Sequence, residues 1–245
     1  MSTPTLSIIV PAWNEEKHLG HTLESLKAAA AVYERDRQAT AELIVVDNNS
    51  TDRTAEVARN HGVTVVFEPV NNIGRARNAG ARVARGKYLA FCDADNQVTE
   101  NLFALIHDHL EDPKIAGGGT WIEPARRNLK INFFYFVWGI YVRLSRVGVG
   151  MLHCRKADFD SFGGFDETIY AAEDLQLAYD LRTLGEPRGQ KFNLIRKGWI
   201  ITSTRKIDQM PLWEMLAKLI GFGFGLQKKI RNKAYCEHWY EKAAR

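Results

Sequence analysis

Two aspartates one residue apart, Asp93-Ala-Asp95, follow the run Tyr88-Leu-Ala-Phe-Cys92. Side chains two apart on an extended chain point the same way, so these carboxylates repel unless a cation or several donors neutralise them. Hard oxygen ligands suit Mg²⁺ or Mn²⁺, and few protein carboxylates suffice where phosphates complete the shell. The alternative is a solvated turn whose aspartates cap the helix after Thr99. A second acidic pair, Glu173-Asp174, opens a helix with Leu175, Leu177, Ala178 and Leu181 on its apolar side. Acidic residues in a first turn complement the helix dipole, while a carboxylate in a partly desolvated cleft can act as a general base. Asp47, at the end of Leu43-Ile-Val-Val46, can accept hydrogen bonds from a nucleobase or ribose, whereas Asp52 reads as a helix cap. Trp13 can stack on a base or simply pack. Arg75 and Arg77 stand just inside a helix start at Gly74, where positive charge opposes the dipole unless an anion or carboxylate faces it. Ser203-Thr-Arg-Lys206 is a basic loop that suits a diphosphate clamp or a solvated turn.

The elements that must position these residues alternate. Leu6–Val10, Glu42–Val46, Val63–Phe67 and Tyr88–Phe91 read as strands; Glu16–Val32, the stretch capped by Asn49–Asp52, and Gly74–Arg85 read as helices, the last stopped by Gly86. Strand-helix alternation implies right-handed crossovers and a mostly parallel α/β sheet, with ligands outside the carboxyl ends of the strands. The residues just past those ends are Pro11-Ala-Trp-Asn-Glu15, Asp47–Asp52, Glu68–Asn72 and Asp93–Asp95. Gly80 reads as a residue of close helix packing, and the aromatic stretch 131–142 as a core or acceptor-site helix.

The chain has 245 residues, 45% hydrophobic and 25% charged, which suits one large domain or a domain with an appendage. Its net charge of +4 is too mild for a dedicated nucleic-acid binder. Cys92, Cys154 and Cys236 are scattered and lack CxxC spacing, so no disulfide framework or zinc site is expected and a cytoplasmic location is. The longest apolar segment falls below the roughly 20 residues that span a bilayer. Neither GxGxxG nor GxxxxGK[ST] occurs, against nicotinamide and P-loop chemistry.

Together, Ser7-Ile-Ile-Val-Pro-Ala-Trp-Asn-Glu-Glu16, Val45-Val-Asp-Asn-Asn-Ser-Thr-Asp-Arg-Thr54, Asn72-Ile-Gly-Arg-Ala-Arg-Asn-Ala-Gly80, Asp93-Ala-Asp95, Gly163-Gly-Phe-Asp-Glu167 and Glu173-Asp174 resemble the family 2 glycosyltransferases of GT-A fold, in that family's order, from about Leu6 to Arg205. The resemblance implies a Rossmann-like, mostly parallel sheet flanked by helices, an inverting reaction, and a nucleoside-diphosphate sugar donor. Pro11, Ala12, Trp13 and Glu15 are similar to the first nucleotide-binding loop, Trp13 standing where an aromatic stacks on the base. Asp47 matches the aspartate that reads the base edge and Arg77 an arginine near the base. Asp93 and Asp95 match the DxD pair, the first nearer the ribose and the second on the Mn²⁺ or Mg²⁺ that bridges the diphosphate. Asp174 matches the catalytic base, Glu173 and Arg205 join the substrate-binding set, and Gly164 with Phe165 borders the acceptor side.

The absence of QxxRW points away from a processive synthase. The acceptor is expected to be a glycan or a lipid-linked molecule, as in cell-envelope polysaccharide synthesis. Residues 1–208 are expected to form the catalytic domain and 209–245 a helical extension, where Leu212–Leu226 followed by Lys228, Lys229, Arg231 and Lys233 suits either an interfacial helix on anionic lipid, at the inner face of the membrane, or a helix packed on the domain. The competing functions are a noncatalytic nucleotide-sugar-binding scaffold and a sugar-nucleotide pyrophosphorylase, which would need a Gly-rich triphosphate loop after the first strand.

Overall fold

The computed structural model describes residues 3–145, 148, 150–205, 208 and 231. In chain order its elements are β1 (Leu6–Ala12), α1 (Leu19–Arg37), β2 (Ala41–Asp47), α2 (Thr54–Asn60), β3 (Thr64–Phe67), α3 (Ile73–Val83), β4 (Tyr88–Phe91), β5 (Asn96–Val98), α4 (Leu102–Glu111), β6 (Ile115–Pro124), α5 (Leu129–Ser145), β7 (Leu152–Arg155), α6 (Lys156–Ser161), α7 (Glu173–Gly185) and β8 (Lys191–Thr202). The strands form one mixed sheet in the order β3-β2-β1-β4-β7-β6-β8-β5. Its first four strands are parallel, as the alternation predicts, and β6 runs parallel to β8; β7 is antiparallel to both β4 and β6, and β5 to β8. This is the expected α/β architecture of helices on a mostly parallel sheet.

Every residue of β1 is buried, because the strand is central and covered on both faces. Its side chains alternate between two cores. Leu6, Ile8 and Val10 join Leu19, Leu23 and Leu26 of α1 and Leu102, Phe103 and Ile106 of α4, whereas Ile9 joins Ile44, Val46, Ala76 and Ala79 with Leu177 and Leu181 of α7. Gly80 is what lets α3 lie close on that second face: a β-carbon there would meet Ile9 Cγ2 at 2.5 Å and Val46 Cγ2 at 3.0 Å.

Three local expectations change. α1 begins at Leu19, not near Glu16, and the Glu15 and Glu16 amides instead donate to Thr54 at the start of α2 and to Asp52 just before it. Gly86 does not stop α3, which ends at Val83; its amide donates to Ser7 Oγ at 2.9 Å where the chain passes against β1 too closely for a side chain. The stretch 131–142 is helical, but only one side of it is core: Ile131 and Val142 are buried while Phe133, Phe136 and Ile140 are exposed. No described helix is long and apolar enough to cross a membrane. Apart from Arg231, the expected 209–245 extension lies outside the described residues, as does Lys206.

Candidate active site

The parallel register sets the carboxyl ends of the central strands side by side, Ala12 of β1 level with Asp47 of β2. The loops beyond are stitched together by side chains acting on backbone. Asn14, held at φ 54°, sends its amide to Ser50 Oγ (3.1 Å) and accepts from the Thr51 amide (2.8 Å). The Glu15 amide donates to Thr54 Oγ1 (2.8 Å), the Glu16 amide to Asp52 Oδ2 (3.1 Å), and the Arg53 amide returns to Glu16 Oε2 (3.1 Å). Asp52 also accepts from the Thr54 amide (2.9 Å) at the start of α2, although the cap position itself is Arg53, whose side chain makes no capping bond. Asp47 is buried and accepts from the Ser50 amide through Oδ1 (3.0 Å), leaving Oδ2 without a hydrogen bond among the described residues. Pro11 and Ala12, expected in the loop, are instead the buried last residues of β1, and Trp13 is half-buried directly after them.

Arg77 joins the two acidic pairs. It is buried; Nη1 donates to Glu173 Oε1 at 2.6 Å, Nη2 to Asp93 Oδ1 at 2.9 Å, and its guanidinium stacks on Phe165, 5.2 Å from the ring centroid. Burial opposes its charge, but Glu173, Asp93 and Asp174 outweigh that and raise its pKa. Its Nε is buried and has no hydrogen-bond partner among the described residues. The unfavourable position of this arginine in the first turns of α3 is thus answered by carboxylates, as its placement required. Asp174, next along α7, accepts from the Leu175 amide through Oδ1 (2.7 Å). Burial and the neighbouring Glu173 carry its carboxyl up to about 7, against the pull of Arg77. A carboxyl poised there is half-ionised near neutral pH, the range in which a general base works best.

A second cluster forms around Arg205, whose Nη2 donates to Glu15 Oε2 and to Asp95 Oδ2, both at 3.1 Å. The structure therefore gathers the expected residues in two groups, Arg77 with Asp93, Glu173 and Asp174, and Arg205 with Glu15 and Asp95. Asp47 ends β2 and bonds within its own turn, to the Ser50 amide, and Trp13 directly follows β1.

Several supporting residues were not singled out from sequence. Asn72 caps α3, accepting from the Arg75 amide (2.9 Å), and donates to the carbonyls of Glu167 and Ile169 (3.2 and 3.0 Å). Asn78 donates to the Phe165 carbonyl and accepts from its amide, both at 2.9 Å, clamping the turn at Gly164, where φ is +81°. Glu68 is buried and takes the Val70 amide (3.0 Å) and Arg75 Nε (3.3 Å). Asn78 lies about 200° around α3 from Gly80, facing the Phe165–Glu167 turn and not the sheet, so the periodicity of α3 alone gave no signal for it. Arg231 donates to Asp166 Oδ2 at 2.8 Å and to Thr168, beside the same turn. Cys92 and Cys154 are free and buried, and Cys236 lies outside the described residues.

Residues 7–141, just over half of the chain, match the family described as Glycosyl transferase family 2. A dolichyl-phosphate beta-glucosyltransferase of Trichomonas vaginalis is 33% identical over 113 residues, 43% of this chain and 35% of that one. The validoxylamine A glucosyltransferase of Streptomyces hygroscopicus subsp. limoneus is 26% identical over 249 residues, 80% of this chain and 51% of that one. The chain thus spans about half or less of the length of these curated relatives. Among solved structures, the mannosyltransferase PcManGT from Pyrobaculum calidifontis, in complex with GDP-Man and Mn²⁺, superposes with TM-score 0.65 at 19% identity, over 100% of this chain and 73% of that one. Glucosyl-3-phosphoglycerate synthase from Mycobacterium tuberculosis, in complex with Mn²⁺, UDP and glucosyl-3-phosphoglycerate, superposes with TM-score 0.59 at 18% identity, over 96% and 80%. Likeness at that identity shows a shared fold.

Proposed function

Because this chain belongs to glycosyltransferase family 2 and has the GT-A fold, we propose that it transfers a sugar from a nucleoside-diphosphate sugar to an acceptor hydroxyl, with inversion at the anomeric carbon. The observation that carries the reading is the Arg77-centred cluster, which holds Asp93 at a strand end and sets beside Glu173 a carboxyl, Asp174, raised to about 7. The donor lies across the carboxyl ends of β1, β2 and β4. Trp13 stacks on the base, and Asp47 accepts from the base edge through Oδ2. Arg77 acts on the donor through Asp93, which it orients and neutralises. Asp174 takes the proton of the acceptor hydroxyl as that oxygen attacks the anomeric carbon on the face opposite the diphosphate. Arg205 pairs with the diphosphate.

A hard divalent ion, Mn²⁺ or Mg²⁺, fits the donor set. Asp93 and Asp95 each spend one oxygen on an arginine and keep the other free of hydrogen bonds among the described residues. The Arg205 guanidinium between Glu15 and Asp95 marks a place where positive charge is already favoured. Among the described residues no three His, Cys, Asp or Glu side chains are placed to hold a metal ion by themselves, so diphosphate oxygens would complete the shell. When bound, the ion supplies Lewis-acid stabilisation of the charge that develops on the departing diphosphate. The GDP-Man and UDP of the two neighbours, each with Mn²⁺, support a donor and ion of this class.

The acceptor is a glycan or a lipid-linked hydroxyl, residues 1–208 are the catalytic unit, and the protein works at the cytoplasmic face of the membrane. Asp174→Asn should retain donor binding and lose transfer; full activity in that variant removes Asp174 from the role. Absence of metal-dependent hydrolysis of every nucleotide sugar by the wild type would count against the reaction itself.

A further inference from the structure

α5 is apolar on two opposite sides. At 3.6 residues per turn, Ile131, Trp138 and Val142 share the side that packs on the domain, around a small cavity of about 10 Å³ that Trp138 and Val142 line with Trp121, Tyr135 and Leu194. Leu129, Phe133, Phe136 and Ile140, spaced by four, three and four, fall on the far side in a stripe about 60° wide. They are 90%, 46%, 66% and 44% exposed. Four large apolar side chains in one exposed row are not the scattered surface leucine that needs no explanation.

The charges around the row identify its partner. From Pro124 to Gly150 the sequence has five basic residues, Arg126, Arg127, Lys130, Arg143 and Arg146, and no acidic one. Arg126 precedes the row and Arg143 closes it; both are exposed and form no ion pair among the described residues. A two-fold pairing with a second copy would set Arg126 of one helix against Arg143 of the other, and like charges repel. An apolar row between basic ends, on a helix whose other side is anchored to a domain, fits a lipid surface. We propose that this face of α5 docks the protein on an anionic bilayer, lying in the boundary between headgroups and acyl chains.

The position of the row gives the contact a purpose. α5 follows β6, whose Pro124 pairs with Thr202 of β8, and the Ala125 amide donates to the Thr202 carbonyl at 2.9 Å. Three residues after Thr202 stands Arg205, on Glu15 and Asp95. Docking through α5 therefore brings the strand-end cleft to the membrane surface, where a lipid-linked acceptor would be met. The docking itself rests on α5 and not on the transfer chemistry.

Flotation of the full chain with phosphatidylglycerol-containing vesicles, against phosphatidylcholine vesicles, tests it. Wild type should float with the anionic vesicles and be released by salt. Leu129→Ser with Phe136→Ser should weaken binding about tenfold or more, since these side chains no longer leave water on docking. Arg126→Gln with Arg143→Gln should weaken it about 25-fold, at about fivefold per basic residue. Both pairs should keep the wild-type melting temperature and donor binding, and should the apolar pair fail to fold, the basic pair carries the test. Three results overturn the proposal: no affinity of the wild type for anionic vesicles, unchanged binding by both variants, which would place the contact elsewhere, such as 209–245, or a wild-type dimer that Phe136→Ser disperses while vesicles bind nothing.

Discussion

Asp174→Asn should make the protein more stable at pH 8. The carboxyl rises from 3.8 in a free chain to about 7 in the folded one, first through burial and then through Glu173. A folded state that holds a proton the unfolded chain has released loses stability as pH climbs from 3.8 to about 7, and above 7 the full cost is in place. At 1.36 kcal/mol per pH step that interval would amount to roughly 4 kcal/mol in a dry site. Asp174 is partly open to the cleft, so water reduces the figure to on the order of 1–2 kcal/mol. Asparagine removes the charge and keeps an Oδ1 acceptor for the Leu175 amide. For a chain of this length the gain corresponds to a rise of about 2–8 °C in melting temperature. Thermal melts at pH 8 and pH 4 read it out: the variant should melt higher at pH 8, and the difference should vanish by pH 4. A variant that melts at or below the wild type at pH 8, or whose gain is equal at both values, would refute the reasoning.

Other outcomes follow from particular contacts. With Asp174 as the base, kcat/KM should fall as pH drops below about 7, because only the ionised carboxylate accepts a proton. Arg77→Met strands Glu173 and Asp93 without their shared cation and should cost about 3–5 kcal/mol in urea unfolding, with Arg77→Lys a poor rescue because an ammonium cannot span both carboxylates. Gly80→Ala, pressed on Ile9 and Val46, should cost about 1–3 kcal/mol, whereas Gly139→Ala, with nothing near its added carbon, should be neutral or stabilise by about 0.4–1 kcal/mol. Burial depresses His109 and His153 to about 4 and about 3 from 6.5. Stability should therefore fall as pH drops below 6.5, and His109→Gln should flatten that slope in pH-dependent melts.

The parallel part of the sheet was legible because β1, β2 and β3 are short runs rich in β-branched residues and β4 is a short apolar one, and the carboxylates at their ends followed from topology before any family was considered. Asp93, Asp95, Glu173 and Asp174 could be picked out locally. What each of them touches could not: Arg77 meets Glu173 across 96 residues and Arg205 meets Glu15 across 190, and no local pattern encodes such pairings. Gly86 illustrates a second limit, since its absent side chain answers to Ser7 of a neighbouring strand and not to the helix before it. The α5 stretch shows a third. A largely apolar helix reads as core, and only the packed structure separates the side that meets β6 and β8 from the side left exposed.

The central claim, that the strand ends bind a metal-diphosphate donor, is tested most directly by thermal shift of the wild type with UDP-, GDP-, TDP- and CMP-sugars, each with and without Mn²⁺. The account predicts that at least one donor raises the melting temperature, that the rise needs the ion, and that it is lost in Asp93→Asn and Asp95→Asn. No shift with any donor, or a shift that survives both substitutions and chelation, would contradict it.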